Sequence, residues 1–130
     1  MPRFSKRSKA QLNTCHSNIQ VVFYEVINYF DCTVLEGHRD KSRQDNLYAT
    51  GRSQLVYPFS RHNSIPANAA DVLPCPINWA DIDRMRFFAG FVLGIAASKG
   101  IHNLRWGGDW DRDTEVRDNR FNDLAHYELV

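Results

Sequence analysis

The sequence predicts an α+β protein, on two long amphipathic patterns and on the short apolar runs set between them. Ile19, Val22, Phe23, Val26, Ile27 and Phe30 recur at steps of three and four, the spacing of one apolar helix face. Ile82, Met85, Phe88, Ala89, Val92, Leu93 and Ala96 repeat that spacing later in the chain. Between and after them lie runs too short for helices and bounded by glycine or proline, which read as strands.

The elements follow in order. Residues Met1 to Lys9 carry Arg3, Lys6, Arg7 and Lys9 and are expected to form a solvated, partly frayed end. The first pattern predicts a helix over Asn13 to Tyr29. Cys32 to Leu35 reads as a buried strand ended by Gly37, and Asp40 to Thr50 as a more polar helix stopped at Gly51. Residues 52–68, with Pro58, Pro66 and many polar groups, read as a loop. Ala69 to Leu73 is a short strand broken by Pro74-Cys75-Pro76. The second pattern predicts a helix over Trp79 to Ser98, with Gly100 as its stop. Asn103 to Trp106 is a strand and Gly107 to Arg120 a charged loop. From Ala125 to Val130, His126 and Glu128 alternate with Tyr127 and Leu129, as a strand requires.

A chain of 130 residues holds one compact domain, 1–130, with a core large enough to need no disulfide or structural metal. A metal here would therefore be catalytic. Sixteen basic and fifteen acidic residues leave a formal charge of +1, which speaks against a nucleic-acid partner. Cys15, Cys32 and Cys75 form no CxxC pair, so neither a disulfide framework nor a cysteine zinc site is expected. No charged-then-apolar leader opens the sequence. The longest nearly apolar run, Phe87 to Ala97, falls short of the roughly 20 residues that span a bilayer. The expectation is a soluble monomer made in a reducing cytosol, without stable membrane association.

Of the five histidines, only His62 and His126 lie near carboxylates in polar segments beside expected strands. A catalytic zinc takes three protein ligands and leaves a position open for water. His62, Asp71 and His126 would meet that need, and a further carboxylate must then accept the water's proton. Asp123, three residues before His126, suits the task. Glu128 competes for it, because on a strand it shares a face with His126 and would otherwise orient the ring or serve structure. Cys75, between prolines, reads as a spectator, and His16, His38 and His102 as structural. Spacing alone stops at a candidate metal site.

Four segments carry more. Ser60-Arg61-His62 with Ala69-Ala70-Asp71 resembles the SxH…AxD motif of the zinc D-alanyl-D-alanine carboxypeptidase and L-alanyl-D-glutamate endopeptidase family. The closing stretch from Asn122 to Val130 resembles that family's second motif, a carboxylate three residues before the last ligand. Glu36-Gly37-His38-Arg39 with Gln44 matches its GxR…Q segment. Leu104-Arg105-Trp106-Gly107-Gly108-Asp109-Trp110 is similar to a segment of the bacteriophage endolysin branch. The resemblance implies a small antiparallel sheet flanked by helices, as in the hedgehog/DD-peptidase fold. It implies a Zn2+ ion on His62, Asp71 and His126, with Asp123 as general base and Arg39 aimed at the scissile carbonyl oxygen. A surface ion pair of Arg39 with Asp40 or Glu36 is the other reading of that residue. Ser60, Gln44 and Trp106 are the residues expected to touch substrate; Ser60 reads equally as a simple loop serine, and Trp106 and Trp110 either line a substrate groove or pack in the core. The stretch from His62 to Asp71 is two residues longer than the family's usual one and lacks its glycine, so it must bulge.

The implied activity is hydrolysis of an amide bond in a peptidoglycan stem peptide, most like the endolysins that cut L-alanyl-D-glutamate. Such proteins accumulate in the host bacterial cytoplasm and reach the wall once the membrane is permeabilised. A D-alanyl-D-alanine carboxypeptidase or dipeptidase, and a non-catalytic zinc-binding wall module, are the alternatives. The presence of Asp123 speaks against the last.

Overall fold

The structure is a computed structural model that describes residues 2–119 and 121–130. Its helices are α1 (Lys6–Leu12), α2 (Ser17–Val26), α3 (Lys41–Ala49) and α4 (Ile82–Ser98). Its strands are β1 (Cys32–Glu36), β2 (Ala69–Pro74), β3 (Leu104–Gly107) and β4 (Asp123–Leu129), and a short 3-10 turn covers Arg61–Asn63. The strands form one sheet in the order β1-β2-β4-β3, antiparallel at every pairing. This is the α+β architecture, a small antiparallel sheet flanked by helices, that the sequence predicts.

The N-terminal expectation is corrected. Residues 6–12 are helical and Phe4 is buried, because Ser5 caps α1 by accepting the Ser8 N–H and Ser8 Oγ accepts the Val34 N–H at 3.1 Å. The helix expected over Asn13 to Tyr29 is the shorter α2, Ser17–Val26, and a corner over 13–16 separates it from α1. Thr14 Oγ1 bonds the Gln11 carbonyl, and His16 Nδ1 accepts the Asn18 N–H, so α2 starts only at Ser17. Polar side chains that cap and turn the backbone outcompete helix continuation here, since the apolar pattern begins at Ile19. Asp40 and Asp81 cap α3 and α4 through the Arg43 and Arg84 amides, which places the start of α4 at Ile82 rather than Trp79.

One sheet face makes the core. Val34, Ala70, Val72, Tyr127 and Leu129 meet α2 and α4 there. The Tyr127 ring stands edge-on to Phe23 at 5.3 Å and to Phe88 at 6.4 Å. Burying each of these phenylalanines stabilises the fold by about 1.5–3 kcal/mol. Strand alternation then sends Asp71, His126 and Glu128 to the opposite face. Asp71 and His126 are direct cross-strand partners in the β2–β4 ladder.

Two glycines let backbones approach closely around that face. A Cβ on Gly37 would lie 2.3 Å from the Gln11 carbonyl oxygen, and one on Gly107 would lie 2.1 Å from that of Asp123. The second approach coincides with the register shift where β3 meets the start of β4. None of the helices among the described residues is long and apolar enough to cross a membrane.

Candidate active site

His62 arrives from a loop, and its position is built by backbone bonds. Ser60 Oγ accepts the His62 N–H at 3.2 Å, and Asn63 Oδ1 accepts the Ser60 N–H at 3.0 Å, a reciprocal cap that shapes the 3-10 turn. The Arg39 N–H donates to the His62 carbonyl at 2.8 Å, which staples the turn to the end of β1. His62 Nδ1 stands 2.7 Å from the Gly37 carbonyl oxygen. A carbonyl can only accept, so Nδ1 carries the proton and Nε2 presents a lone pair.

That Nε2 is buried and has no hydrogen-bond partner among the described residues, although it lies 3.3 Å from Asp71 Oδ1. His126 Nδ1 lies 3.3 Å from the same oxygen. One donor atom from each of His62, Asp71 and His126 falls within 4.8 Å of the others. An orphaned imidazole nitrogen facing a second imidazole and a carboxylate is the donor set of a three-ligand catalytic zinc site. The residues fit that ion. The longer stretch between His62 and Asp71 still brings the two side chains together.

Charge accounts for the titration of the group. Burial alone would raise the Asp71 pKa, but the two histidines hold its carboxyl well below the usual range. Burial opposes a charged His126 too, yet hydrogen bonds to Asp71 and Glu128 push its pKa up to about 9. Asp123 moves the other way: partial burial, then the charge of Asp71, hold its pKa above that of an ordinary aspartate. Its Oδ2 lies 4.0 Å from His126 Nδ1. That leaves Asp123 next to the ligand cluster but outside it.

Arg39 is buried at the edge of the cluster. Its Nε and Nη2 donate to Glu36 Oε1 at 2.9 and 2.6 Å, and Nη1 donates to Gln44 Oε1 at 3.0 Å. Nη2 is also 3.7 Å from Asp71 Oδ2. The ion pair is with Glu36 and is buried rather than on the surface, and it sets the guanidinium beside the cluster.

The cluster floors a cleft of about 810 Å3. Ser60 lines it, with its hydroxyl engaged in the turn that carries His62. Gln44 and Trp106, expected to touch substrate, do not line the cleft. Gln44 is fully buried behind Arg39 and donates to Ser53 Oγ and the Leu55 carbonyl. Trp106 belongs to the core face and spends its indole N–H on the Leu124 carbonyl at 2.8 Å. Strand alternation decides this, since Trp106 pairs with Tyr127 and shares its side of the sheet.

Trp110 lines the cleft, as does Trp79, which sequence reasoning did not single out. The Trp110 ring lies 5.7 Å from His126, and Phe121 stacks on it at 6.2 Å. Phe59, Trp79 and Phe121 are exposed at the rim, at 71, 59 and 48%. Large aromatics standing alone in polar loops were the signal in the sequence. Cys75 lies off the cleft, 3.0 Å from Thr33 Oγ1. His16 is a helix cap, and His38 contacts the Ser64 carbonyl. The charged loop expected over 107–120 is ordered around Asp109, which accepts the N–H groups of Asp113 and Thr114; Arg120 lies outside the described residues.

The crystal structure of the L-Ala D-Glu endopeptidase ChiX of Serratia marcescens resembles this fold with a TM-score of 0.76. The two are 28% identical, over 98% of this chain and 90% of that one. No curated protein matches the sequence. The family of phage L-alanyl-D-glutamate peptidases matches over residues 1–130, and this chain, a hydrolase of peptidoglycan, belongs to that family.

Proposed function

We propose that the chain is a zinc peptidase that cuts the L-alanyl-D-glutamate bond of peptidoglycan stem peptides, with His62, Asp71 and His126 as metal ligands. The observation that carries this reading is the buried, unbonded Nε2 of His62 facing Asp71 and His126 Nδ1. Bound there, zinc would polarise the scissile carbonyl and lower the pKa of water toward about 7.

The other roles fall to the chain itself. Asp123, set beside the cluster and raised in pKa, accepts the proton of the attacking water. As the carbon–nitrogen bond breaks, it returns that proton to the amine of the departing D-glutamyl residue. Arg39, fixed by Glu36 and Gln44, sets a positive charge against the developing oxyanion without having to reorganise. Ser60 keeps His62 in position, and Trp110 with the rim aromatics forms the walls against which the stem peptide lies. The protein acts as a monomer and accumulates in the host bacterial cytoplasm until the membrane is breached.

The test is mass spectrometry of fragments released from purified peptidoglycan, with and without a zinc chelator. New amino-terminal glutamate, lost on chelation and restored by zinc, is the expected product. Free D-alanine would point to the carboxypeptidase alternative, and chelator-resistant release would refute the metal assignment.

A further inference from the structure

We infer that Glu128 is a positioning residue that selects which nitrogen His126 offers to the metal, and that Arg61 and Arg105 clamp Glu128 for that task. The inference rests on the zinc reading above.

Glu128 Oε1 stands 2.7 Å from His126 Nε2. A carboxylate only accepts, so Nε2 keeps a proton, and in the neutral ring that binds a metal the lone pair falls on Nδ1. Nδ1 is the nitrogen that faces Asp71 and His62. His62 is arranged the opposite way, with Nδ1 on a carbonyl and Nε2 in the cluster. The two rings thus present different nitrogens, and each choice is enforced by the acceptor behind it. For His62 that acceptor is neutral. For His126 it is charged, which makes the ring the more basic ligand.

The other carboxylate oxygen is occupied as well. Glu128 Oε2 receives Arg61 Nε at 2.8 Å and Arg105 Nη2 at 2.7 Å. Glu128 is 6% exposed, so its charge is compensated by this pair of cations rather than by water. The three residues come from three places: Glu128 from β4, Arg105 from its cross-strand position on β3, and Arg61 from the turn that carries His62. Arg105 also reaches toward the cleft wall, with Nη1 on the Trp110 carbonyl at 3.2 Å and its guanidinium 5.4 Å from that ring. Trp110 in turn lies against His126. The imidazole is held at one edge by Glu128 and on a face by Trp110.

Glu128 cannot take Asp123's part. It sits behind the ring, at Nε2, whereas Asp123 stands beside Nδ1.

The decisive variant is Glu128→Gln, which keeps volume and shape. Facing two arginines, the amide would turn its oxygen to them and offer an N–H to Nε2, favouring the wrong tautomer. Zinc dissociation constants, from competition with a chromophoric chelator, need no catalysis. Loss by about 10–100-fold is expected for Glu128→Gln and for Glu128→Ala. Nitrogen-15 NMR of His126 in the zinc-loaded protein should show a protonated Nε2 and an unprotonated Nδ1 in the parent, and loss of that pattern in both variants. The double variant Arg61→Ala/Arg105→Ala should weaken zinc in the same direction. Circular dichroism establishes which variants fold, and Glu128→Gln carries the test if Glu128→Ala does not. A folded Glu128→Gln protein that binds zinc within twofold of the parent, with the His126 tautomer unchanged, would overturn the inference. Unaltered zinc affinity in the double variant would overturn the clamp. A parent protein that binds no zinc would overturn the metal reading itself, which separates that failure from this one.

Discussion

Stripped of metal, the protein should become less stable as pH rises from 6.5 to 9, and His126 is the reason. Burial disfavours its charged form, but Asp71 at 3.3 Å and Glu128 at 2.7 Å outweigh burial and raise its pKa from 6.5 to about 9. A folded-state pKa above the unfolded one stabilises fully below the unfolded value and is lost as pH climbs through the folded value. The window is therefore 6.5 to about 9. Neither neighbour titrates inside it. The Asp71 carboxyl is held well below its usual range, and that of Glu128, against burial, is drawn down to about 2 by His126 and Arg105.

At roughly 1.4 kcal/mol per pH unit, the full effect is on the order of 3 kcal/mol. Unfolding entropy scales with chain length, so in a protein of 130 residues that amounts to roughly 10 °C in Tm. Calorimetry in chelator at several pH values between 6 and 9.5 measures it. Zinc-saturated protein should stay nearly level over the same window, because the metal replaces a proton on His126 and the growing stabilisation by zinc offsets the loss. A metal-free Tm that stays level from pH 6.5 to 9 would mean that His126 is not held between two carboxylates in solution.

Asp123→Asn should lower kcat by about 10^2 to 10^4-fold while zinc affinity stays within about twofold, since a base beside the cluster is lost and no ligand is. Loss of zinc in that variant would make Asp123 a ligand instead. Tyr127→Phe should raise Tm by a few degrees, about 1 kcal/mol, because the hydroxyl is fully buried without a hydrogen-bond partner among the described residues. A lower Tm by differential scanning fluorimetry would show that the hydroxyl is satisfied. Gly107→Ala should cost about 1–3 kcal/mol and reduce kcat, since its methyl would press on the Asp123 backbone at 2.1 Å. An unchanged melt and unchanged turnover would speak against that close approach.

Much of this protein could be read along the chain. The helix over 40–50 appears within one residue at each end, because Asp40 is a local cap and Gly51 a local stop. The alternation around His126 already put Glu128 on the same face, and Asp71 was the only acidic residue between His62 and the second helix pattern's flank at Asp81. Motif resemblance supplied the rest of the candidate ligand set. Legibility ended where an outcome depended on partners far away in sequence. The basic N-terminus looked frayed because its composition is polar, and only the contact of Ser8 with β1 shows why it is helical and tied down. Trp106 and Trp110 are four residues apart and alike in type, yet one packs in the core and the other lines the cleft, a division set by strand register and sheet face. Local propensity, capping and periodicity act over a few residues, so the sequence by itself determined the elements and the candidate donors. The convergence of His62, Asp71 and His126, the burial of Gln44 behind Arg39, and the clamp on Glu128 were decided by tertiary structure, because antiparallel pairing and a loop folded back on β1 bring together groups that nothing local connects.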